Sequence, residues 1–409
     1  MNTKQILLLI LMASTAFSVF GYSRLTIERD WVIHANSGDD VDFLGALSLN
    51  DTSQRVLSIA VSPGLNTETN DSGIFVRYRG KMNGDTLLLN ATATLDVNYD
   101  TSLASDPPLS GANRSFTPLT APDANMTAQA GELAQQNSSL ATVRDIVNWV
   151  HSTVQYDVSY WGKSVPATDV FRTRHGVCVE YTHLLISLAR SLGFDTRYVS
   201  GYVYSNAWQP HAWAEIYIPG YGWLPADATF GEVGMMDGTH LAIAQGMDQA
   251  SVYDVLISGN NASIEAHDHV TPIFLSNDSR NVSIYVHPDN YTYVVTVNIT
   301  NNRPDYVFGS YQFLPDPSYA QQDSGIVLLQ PHENLQRNYL INSSQFQDGY
   351  TYTLPLPAAF NDARDEKNLV VSKPLPGSQA QPQPCAPSVL LLLLPAALLP
   401  LFRGAHWPF

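Results

Sequence analysis

Arg174-His-Gly-Val-Cys178-Val-Glu180 decides how this chain is read, because a lone cysteine stands there just where a helical pattern begins. Tyr181, Leu184, Leu185, Leu188 and Leu192 recur at helical spacing as one apolar face, and Gly193 follows as a stop signal. The spacing predicts a helix over 177–192. A helix N-terminus carries unpaired amide donors and partial positive charge, which favours a thiolate, the nucleophilic form of cysteine. Downstream, His211-Ala-Trp213 opens one strand and Trp223-Leu-Pro-Ala-Asp227-Ala-Thr229 closes the next. Thiol, imidazole and carboxylate in that order supply a nucleophile, a base and an orienting acid. Cys178, His211 and Asp227 are therefore the candidate catalytic residues.

Strand alternation adds a condition. His211, Trp213 and Glu215 share one face of their strand; Trp223, Pro225 and Asp227 share one face of the next. An even-length hairpin loop would put His211 and Asp227 on opposite faces of the sheet. A working triad requires an odd loop or a bulge around 219–222, with Asp227 beside Trp213.

Outward from this centre the chain changes character. Val143, Ile146, Val147, Val150 and Val154 predict a preceding helix, and 196–204, 211–218 and 222–227 predict strands. Residues 22–104 hold short β-rich runs (56–61, 74–78, 87–97) separated by turn clusters, which reads as a small β-sandwich domain. A connector spans 105–127 and the core 128–260. Residues 261–372 read as a second β-sandwich, with 282–286 and 291–299 as its clearest strands. A Pro-rich linker occupies 373–387.

The ends carry targeting signals. Residues 1–21 read as a secretory signal peptide, with Lys4 before the apolar stretch 6–12, or as an uncleaved anchor. Residues 388–403 form a short apolar stretch closed by Arg403, either a transmembrane anchor or a sorting tail exchanged for lipid. Twelve Asn-x-Ser/Thr sequons, at Asn50, Asn70, Asn90, Asn113, Asn125, Asn137, Asn261, Asn277, Asn281, Asn290, Asn298 and Asn342, suit a glycosylated exterior protein, and none falls between 139 and 260. The second cysteine, Cys385, lies in the linker in different surroundings, so no bridge to Cys178 is expected. The formal charge, 21 basic against 37 acidic residues or -16, argues against a nucleic-acid partner.

The run from Arg174 through Cys178, His183, Arg190 and Arg197 to Gly201-Tyr202 resembles the core of the transglutaminase-like superfamily. His211-Ala-Trp-Ala-Glu215 and Gly222-Trp-Leu-Pro-Ala-Asp227-Ala-Thr229 resemble its other two motifs. Thr239-His240 to Gly246-Met-Asp248, with Asp254, is similar to a stretch that follows them in microbial members. The resemblance covers about 128–256. It implies a papain-like α+β core with Cys178 as nucleophile, His211 as base and Asp227 as orienting acid. Animal transglutaminases carry an upstream tryptophan that helps stabilise the oxyanion. Trp149 and Trp161 are the upstream candidates here and neither matches that spacing, which leaves only the Cys178 amide assigned to that task.

Other conspicuous residues take plainer readings. His183, five residues past Cys178, is a helix histidine or a supporting group at best. Glu180 is a helix N-terminal charge, Trp213 and Trp223 are packing residues, and Tyr202 and Trp208 are candidates for lining a cleft. His240 and Asp248 are structural members of their motif. His267-Asp-His269 lacks a third metal ligand at a recognisable spacing. No EF-hand pattern is present, and no cofactor or metal is implied. The expected fold is thus α+β: a papain-like transglutaminase core flanked by two β-sandwich domains, with a signal peptide and a C-terminal transmembrane segment.

The expected protein is a membrane-tethered, cell-surface thiol acyl-transfer enzyme acting on peptide or isopeptide amides through a Cys-thioester, with hydrolysis slightly favoured over crosslinking. A protein-glutamine transglutaminase is one alternative and a non-catalytic surface binding protein on the same scaffold is another. Expected partners are a protein or peptide substrate, cell-envelope polymers as a further option, and the membrane through the C-terminal segment.

Overall fold

The computed structural model describes residues 20–373, apart from 100–102, 110–114, 235, 260, 278–281, 291 and 362. The signal segment, except its last two residues, lies outside the described residues, as do the linker beyond Lys373 and the apolar tail 388–403. Among the described residues no helix is long and apolar enough to cross a membrane. The architecture is mostly β, with a compact helical layer around residues 124–191.

Six strands come first: β1 (Phe20–His34), β2 (Asp40–Ser48), β3 (Gln54–Val61), β4 (Leu65–Asn70), β5 (Gly73–Lys81) and β6 (Thr86–Asn98). From Ser23 to Ile33 every second residue of β1 is buried, the period-2 signature of a strand with one face on a core. Helices α1 (Ala124–Leu133) and α2 (Ser139–Thr153) follow; Asp123 caps the first by accepting from Met126 N at 2.8 Å, and Ser138 caps the second by accepting from Ala141 N at 2.8 Å. Next come β7 (Gln155–Tyr156), α3 (Ala167–Thr173), β8 (His175–Gly176) and α4 (Cys178–Ser191). Five strands then form a sheet in the order β12-β11-β10-β9-β13: β9 (Thr196–Tyr204), β10 (Trp208–Ile218), β11 (Gly222–Asp227), β12 (Glu232–Val233) and β13 (Leu241–Gly246). Every residue of α4 except Val179 is buried, because β9 and β10 cover one side and the other helices the rest.

Two strands after this core return to the N-terminal region. β14 (Val255–Ile257) pairs with β2, and β15 (Ser263–Asn277) pairs with β1 from Tyr22↔Ser276 to His34↔Ser263. The resulting sheets run β15-β1-β6-β3 and β14-β2-β5-β4. Position along the chain groups 263–277 with the strands that follow it. The difference has a simple cause: β1 has two edges, β6 satisfies only one, and the partner for the other comes from far along the chain. The two sheets face each other across Trp31 and Phe43, whose rings stand 5.3 Å apart. Gly45 permits this approach, since a β-carbon there would lie 2.6 Å from the Phe43 ring and 2.8 Å from that of Trp31.

Seven further strands close the described chain: β16 (Val282–Asp289), β17 (Val294–Asn301), β18 (Val307–Phe313), β19 (Asp323–Leu329), β20 (Asn334–Leu340), β21 (Thr351–Phe360) and β22 (Ala363–Ser372). They form the sheets β16-β17-β20 and β19-β18-β21-β22 around a separate cluster that includes Val297, Ile299, Phe313, Leu356 and Phe360. The N-terminal sheets and the helical core, by contrast, share one continuous cluster.

Candidate active site

Cys178 is the first residue of α4 and is buried. The approach to it is fixed from both sides. Residues β8 pair in parallel with β7, Tyr156 opposite Gly176. Glu180 folds back so that its Oε2 accepts from Val177 N at 3.0 Å, the reciprocal half of a capping box. Gly176 lies directly under this carboxylate: a β-carbon there would stand 2.3 Å from Glu180 Cβ. The Thr182 hydroxyl sits 2.8 Å from Cys178 O and 3.0 Å from Ala212 O, tying the first turn of α4 to the strand that carries His211.

His211 lies on β10 opposite Gly201 of β9. A side chain at 201 would run into the backbone, its β-carbon 2.0 Å from Leu241 O, so only glycine lets β9 lie between β10 and β13 here. The β10–β11 ladder runs from Ile218↔Gly222 to Ala214↔Ala226, leaving a three-residue loop, Pro219, Gly220 and Tyr221. The odd loop is the one the alternation argument required. One step further along the register Trp213 faces Asp227, and His211 is the next residue on that same face.

The carboxylate of Asp227 is fully buried and fully engaged. Its Oδ2 accepts from His211 Nε2 at 2.6 Å and lies 3.3 Å from His240 Nε2; its Oδ1 accepts from Thr229 N at 2.7 Å and Phe230 N at 3.2 Å. Burial alone would raise its pKa, but the charges and hydrogen bonds of His211 and His240 outweigh that and hold it well below the usual carboxylate range. Burial would likewise lower the His211 pKa. Asp227, followed by the Cys178 thiol as a hydrogen-bonding neighbour, outweighs it and brings the imidazole up to about 9. With Nε2 committed to Asp227, Nδ1 is the nitrogen left for the thiol. Phe230 and Trp213 pack on the ring at centroid distances of 5.1 and 6.1 Å.

The structure thus brings Cys178, His211 and Asp227 together. It sets the other singled-out residues elsewhere. His183 is a core residue: its Nδ1 faces Val165 O at 3.3 Å, its Nε2 accepts from Gln249 N at 3.5 Å, and burial pushes its pKa down to about 4. Tyr202 donates its hydroxyl to Asp268. Trp149 stacks on Phe171 and carries the Arg174 guanidinium 4.5 Å above its ring, and Trp161 is exposed. In β15, Asp268 points inward to Arg29 at 2.7 Å while His267 and His269 are exposed on the opposite face, and the three do not converge.

Two residues near the centre escaped the sequence reading in whole or part. Tyr156 was not singled out. It flanks the thiol side of the site, and burial, then the charges of Cys178, Glu180 and Asp227, raise its pKa to about 12. His240 was given only a structural task, yet it touches the same carboxylate oxygen as His211. Ligating atoms of His211, Asp227 and His240 lie within 4.8 Å of one another. The His211–Asp227 separation of 2.6 Å is a hydrogen bond; two ligands of one tetrahedral ion bonded at about 2.0–2.1 Å would stand roughly 3.3 Å apart. The trio is read as a proton-bearing network.

Residues 127–228, a span that holds all three candidate residues, match the model of the transglutaminase-like superfamily, and the core of this chain is transglutaminase-like. An uncharacterized protein of Mycobacterium tuberculosis (strain ATCC 25618 / H37Rv) is 26% identical over 125 residues, covering 27% of this chain and 39% of that protein. One from Mycobacterium leprae (strain TN) is 25% identical over 123 residues, covering 28% and 42%. The chain thus spans about two fifths of the length of the curated relatives it matches. Among solved structures, a candidate cysteine protease from Cytophaga hutchinsonii superposes with a TM-score of 0.48 at 24% identity, covering 62% of this chain and 91% of that one. A TGase superposes at 0.21 with 18% identity, covering 43% and 50%.

Proposed function

We propose that this protein is a cell-surface thiol acyl-transfer enzyme that acts on peptide or isopeptide amides, with hydrolysis favoured over crosslinking. The observation that carries the reading is the buried line of Cys178 at a helix N-terminus, His211, and an Asp227 carboxylate 2.6 Å from His211 Nε2. The Cys178 thiolate attacks the amide carbonyl carbon, forming a C–S bond while the carbonyl electrons move to oxygen. The Cys178 amide at the end of α4 is placed to donate to that oxygen. Collapse of the tetrahedral adduct breaks the C–N bond, and the His211 imidazolium gives its proton to the leaving nitrogen, leaving a thioester. His211, now neutral, takes a proton from water, the resulting hydroxide equivalent attacks the thioester, and the thiolate departs to regenerate the ion pair. An amine in place of water would give a new amide, the crosslinking outcome. Asp227 holds the ring orientation throughout.

Surface location is supported by sequons whose asparagines are exposed, among them Asn50, Asn70, Asn125, Asn137, Asn261, Asn290 and Asn342. The flanking pairs of sheets are read as β-sandwich domains, and the apolar ends as a signal peptide and a membrane anchor or sorting tail.

The test is the alkylation rate of Cys178 against pH, followed by mass spectrometry with His211→Ala alongside, and then turnover of glutamine- and lysine-containing peptides with and without a primary amine. A fast rate at about pH 6 that the substitution slows supports the imidazole-activated thiolate. New amino termini or released ammonia without amine uptake support hydrolysis; amine incorporation would move the assignment to crosslinking. A rate that climbs only near a free thiol's pKa of about 8.5, indifferent to His211, would leave the non-catalytic scaffold as the better reading.

A further inference from the structure

The loop from β12 to β13 places His240 between two carboxylates in a fully enclosed position, 1% exposed. Its Nε2 is 3.3 Å from Asp227 Oδ2 and its Nδ1 3.0 Å from Asp237 Oδ1. The same Asp237 oxygen accepts from Thr239 N at 2.9 Å and from the Thr239 hydroxyl at 2.6 Å, which pins it in place. Ionised carboxylates only accept, and a neutral imidazole has a single N–H. Both contacts are hydrogen bonds together only when both ring nitrogens carry protons.

We propose that His240 is a positioning residue held as an imidazolium across the neutral range, and that by sharing Asp227 Oδ2 with His211 it limits how tightly that carboxylate holds the proton on His211. The groups facing it are Asp227 of β11, Glu232 of β12 at 3.9 Å, Asp237 of its own loop, His211 of β10 at a centroid distance of 5.7 Å, and Tyr99, just past β6, at 6.5 Å. The carboxylates outnumber the cations around it, and they raise its pKa despite the burial that opposes the charge.

The consequence for chemistry follows from sign. An imidazole facing a buried carboxylate alone holds its proton strongly, which suits the resting ion pair but makes a poor acid toward the leaving nitrogen. A second cation on the same oxygen draws the His211 pKa back down. Like charges at this separation are enough to move a pKa by about one to two units. The catalytic meaning of the inference rests on the thiol reading above; the protonation state of His240 does not.

The experiment has two arms. In wild-type protein labelled with 15N-histidine, with His240→Gln used to assign the signal, both ring nitrogens of His240 are expected to be protonated from about pH 6 to pH 8. The alkylation of Cys178 by iodoacetate, an anion whose rate falls as His211 loses its proton, is followed against pH in wild type, His240→Gln and Asp237→Asn. The alkaline limb is expected to rise by about one pH unit in the first variant and by less in the second. A wild-type His240 with one bare nitrogen at pH 7 overturns the proposal, as does an alkaline limb that stays in place in folded variants. If His240→Gln fails to fold, Asp237→Asn and long-range proton–nitrogen assignment in wild type decide it. No alkylation of wild type at any pH sinks the thiol reading and the positioning role with it, and the nitrogen signals then report on charge alone.

Discussion

The strands before residue 100 and those after residue 281 are both antiparallel sheets packed in pairs, yet they meet the core in opposite ways. The N-terminal sheets share one hydrophobic cluster with the helices and β9–β13, whereas the C-terminal sheets lend that cluster Phe308 and Ile326 and keep most of their buried residues in one of their own. Polar contacts repeat the contrast. Arg29 of β1 donates to Asp268 at 2.7 Å and pairs with Asp254 at 3.4 Å, and Asp254 also accepts from Trp31 Nε1 at 2.7 Å and Ala46 N at 2.9 Å. Gln54 brackets Ala242 of β13, donating to its carbonyl at 2.7 Å and accepting from its N–H at 2.9 Å. Ser23 donates to Gly238 O in the very loop that presents His240. On the other side, Asn148 of α2 donates to Ile326 O at 3.0 Å and accepts from Ile326 N at 2.8 Å, and Gly234 receives Phe308 in close contact. The N-terminal sheets therefore back β13 and the loop that presents His240, and the C-terminal sheets back α2 and β12.

The strongest challenge to this contrast is Asp254→Ala. It removes one of the two carboxylates on a buried guanidinium, together with the acceptor of Trp31 Nε1 and Ala46 N, and is expected to cost about 3–5 kcal/mol. Denaturation followed by near-UV circular dichroism and by Cys178 accessibility should shift together; separate shifts would mean that the shared cluster is not one cooperative unit. Leu356→Ala is the counterpart in the C-terminal core, expected to cost about 2–4 kcal/mol. It should lower a calorimetric transition while leaving the alkylation rate of folded Cys178 unchanged, and a slowed rate would make the C-terminal sheets part of the site's support.

Next comes pH. The His211 pKa is raised above the usual 6.5 to about 9 in the folded protein. Its contribution is fully present below pH 6.5 and is lost as pH rises through about 9, at most about 3 kcal/mol. Urea midpoints measured across that window should fall in wild type and stay nearly level in Asp227→Asn; a level wild-type curve would contradict the buried ion pair. The smallest effect is Gln54→Ala, about 1–2 kcal/mol, because the Ala242 N–H loses its Gln54 acceptor while Ala242 O keeps the Leu49 N–H at 3.1 Å. Its hydrogen exchange should speed up at β13 and in the His240 loop rather than in β16–β22.

Much of the centre was legible because its signals are local. The apolar face over 177–192 became Cys178–Ser191 with its cap at Leu192, and the strand expected over 222–227 is Gly222–Asp227. Side-chain alternation even required the odd loop that puts His211 and Asp227 on one face. The period of a helix or strand is written in neighbouring residues, and Cys178, His211 and Asp227 fall on elements set by such periods.

The order of elements in the core and the faces that three candidate residues occupy thus follow from local periodicity. Their neighbours in space are set by long-range packing. Arg29 finds Asp268 across 239 positions and Asp254 across 225, β15 returns to the open edge of β1, and His240 reaches the same oxygen as His211. Such partners carry no periodic mark. They are selected because a buried charge or an unpaired strand edge must find its complement in space, and distance along the chain places little constraint on where that complement comes from.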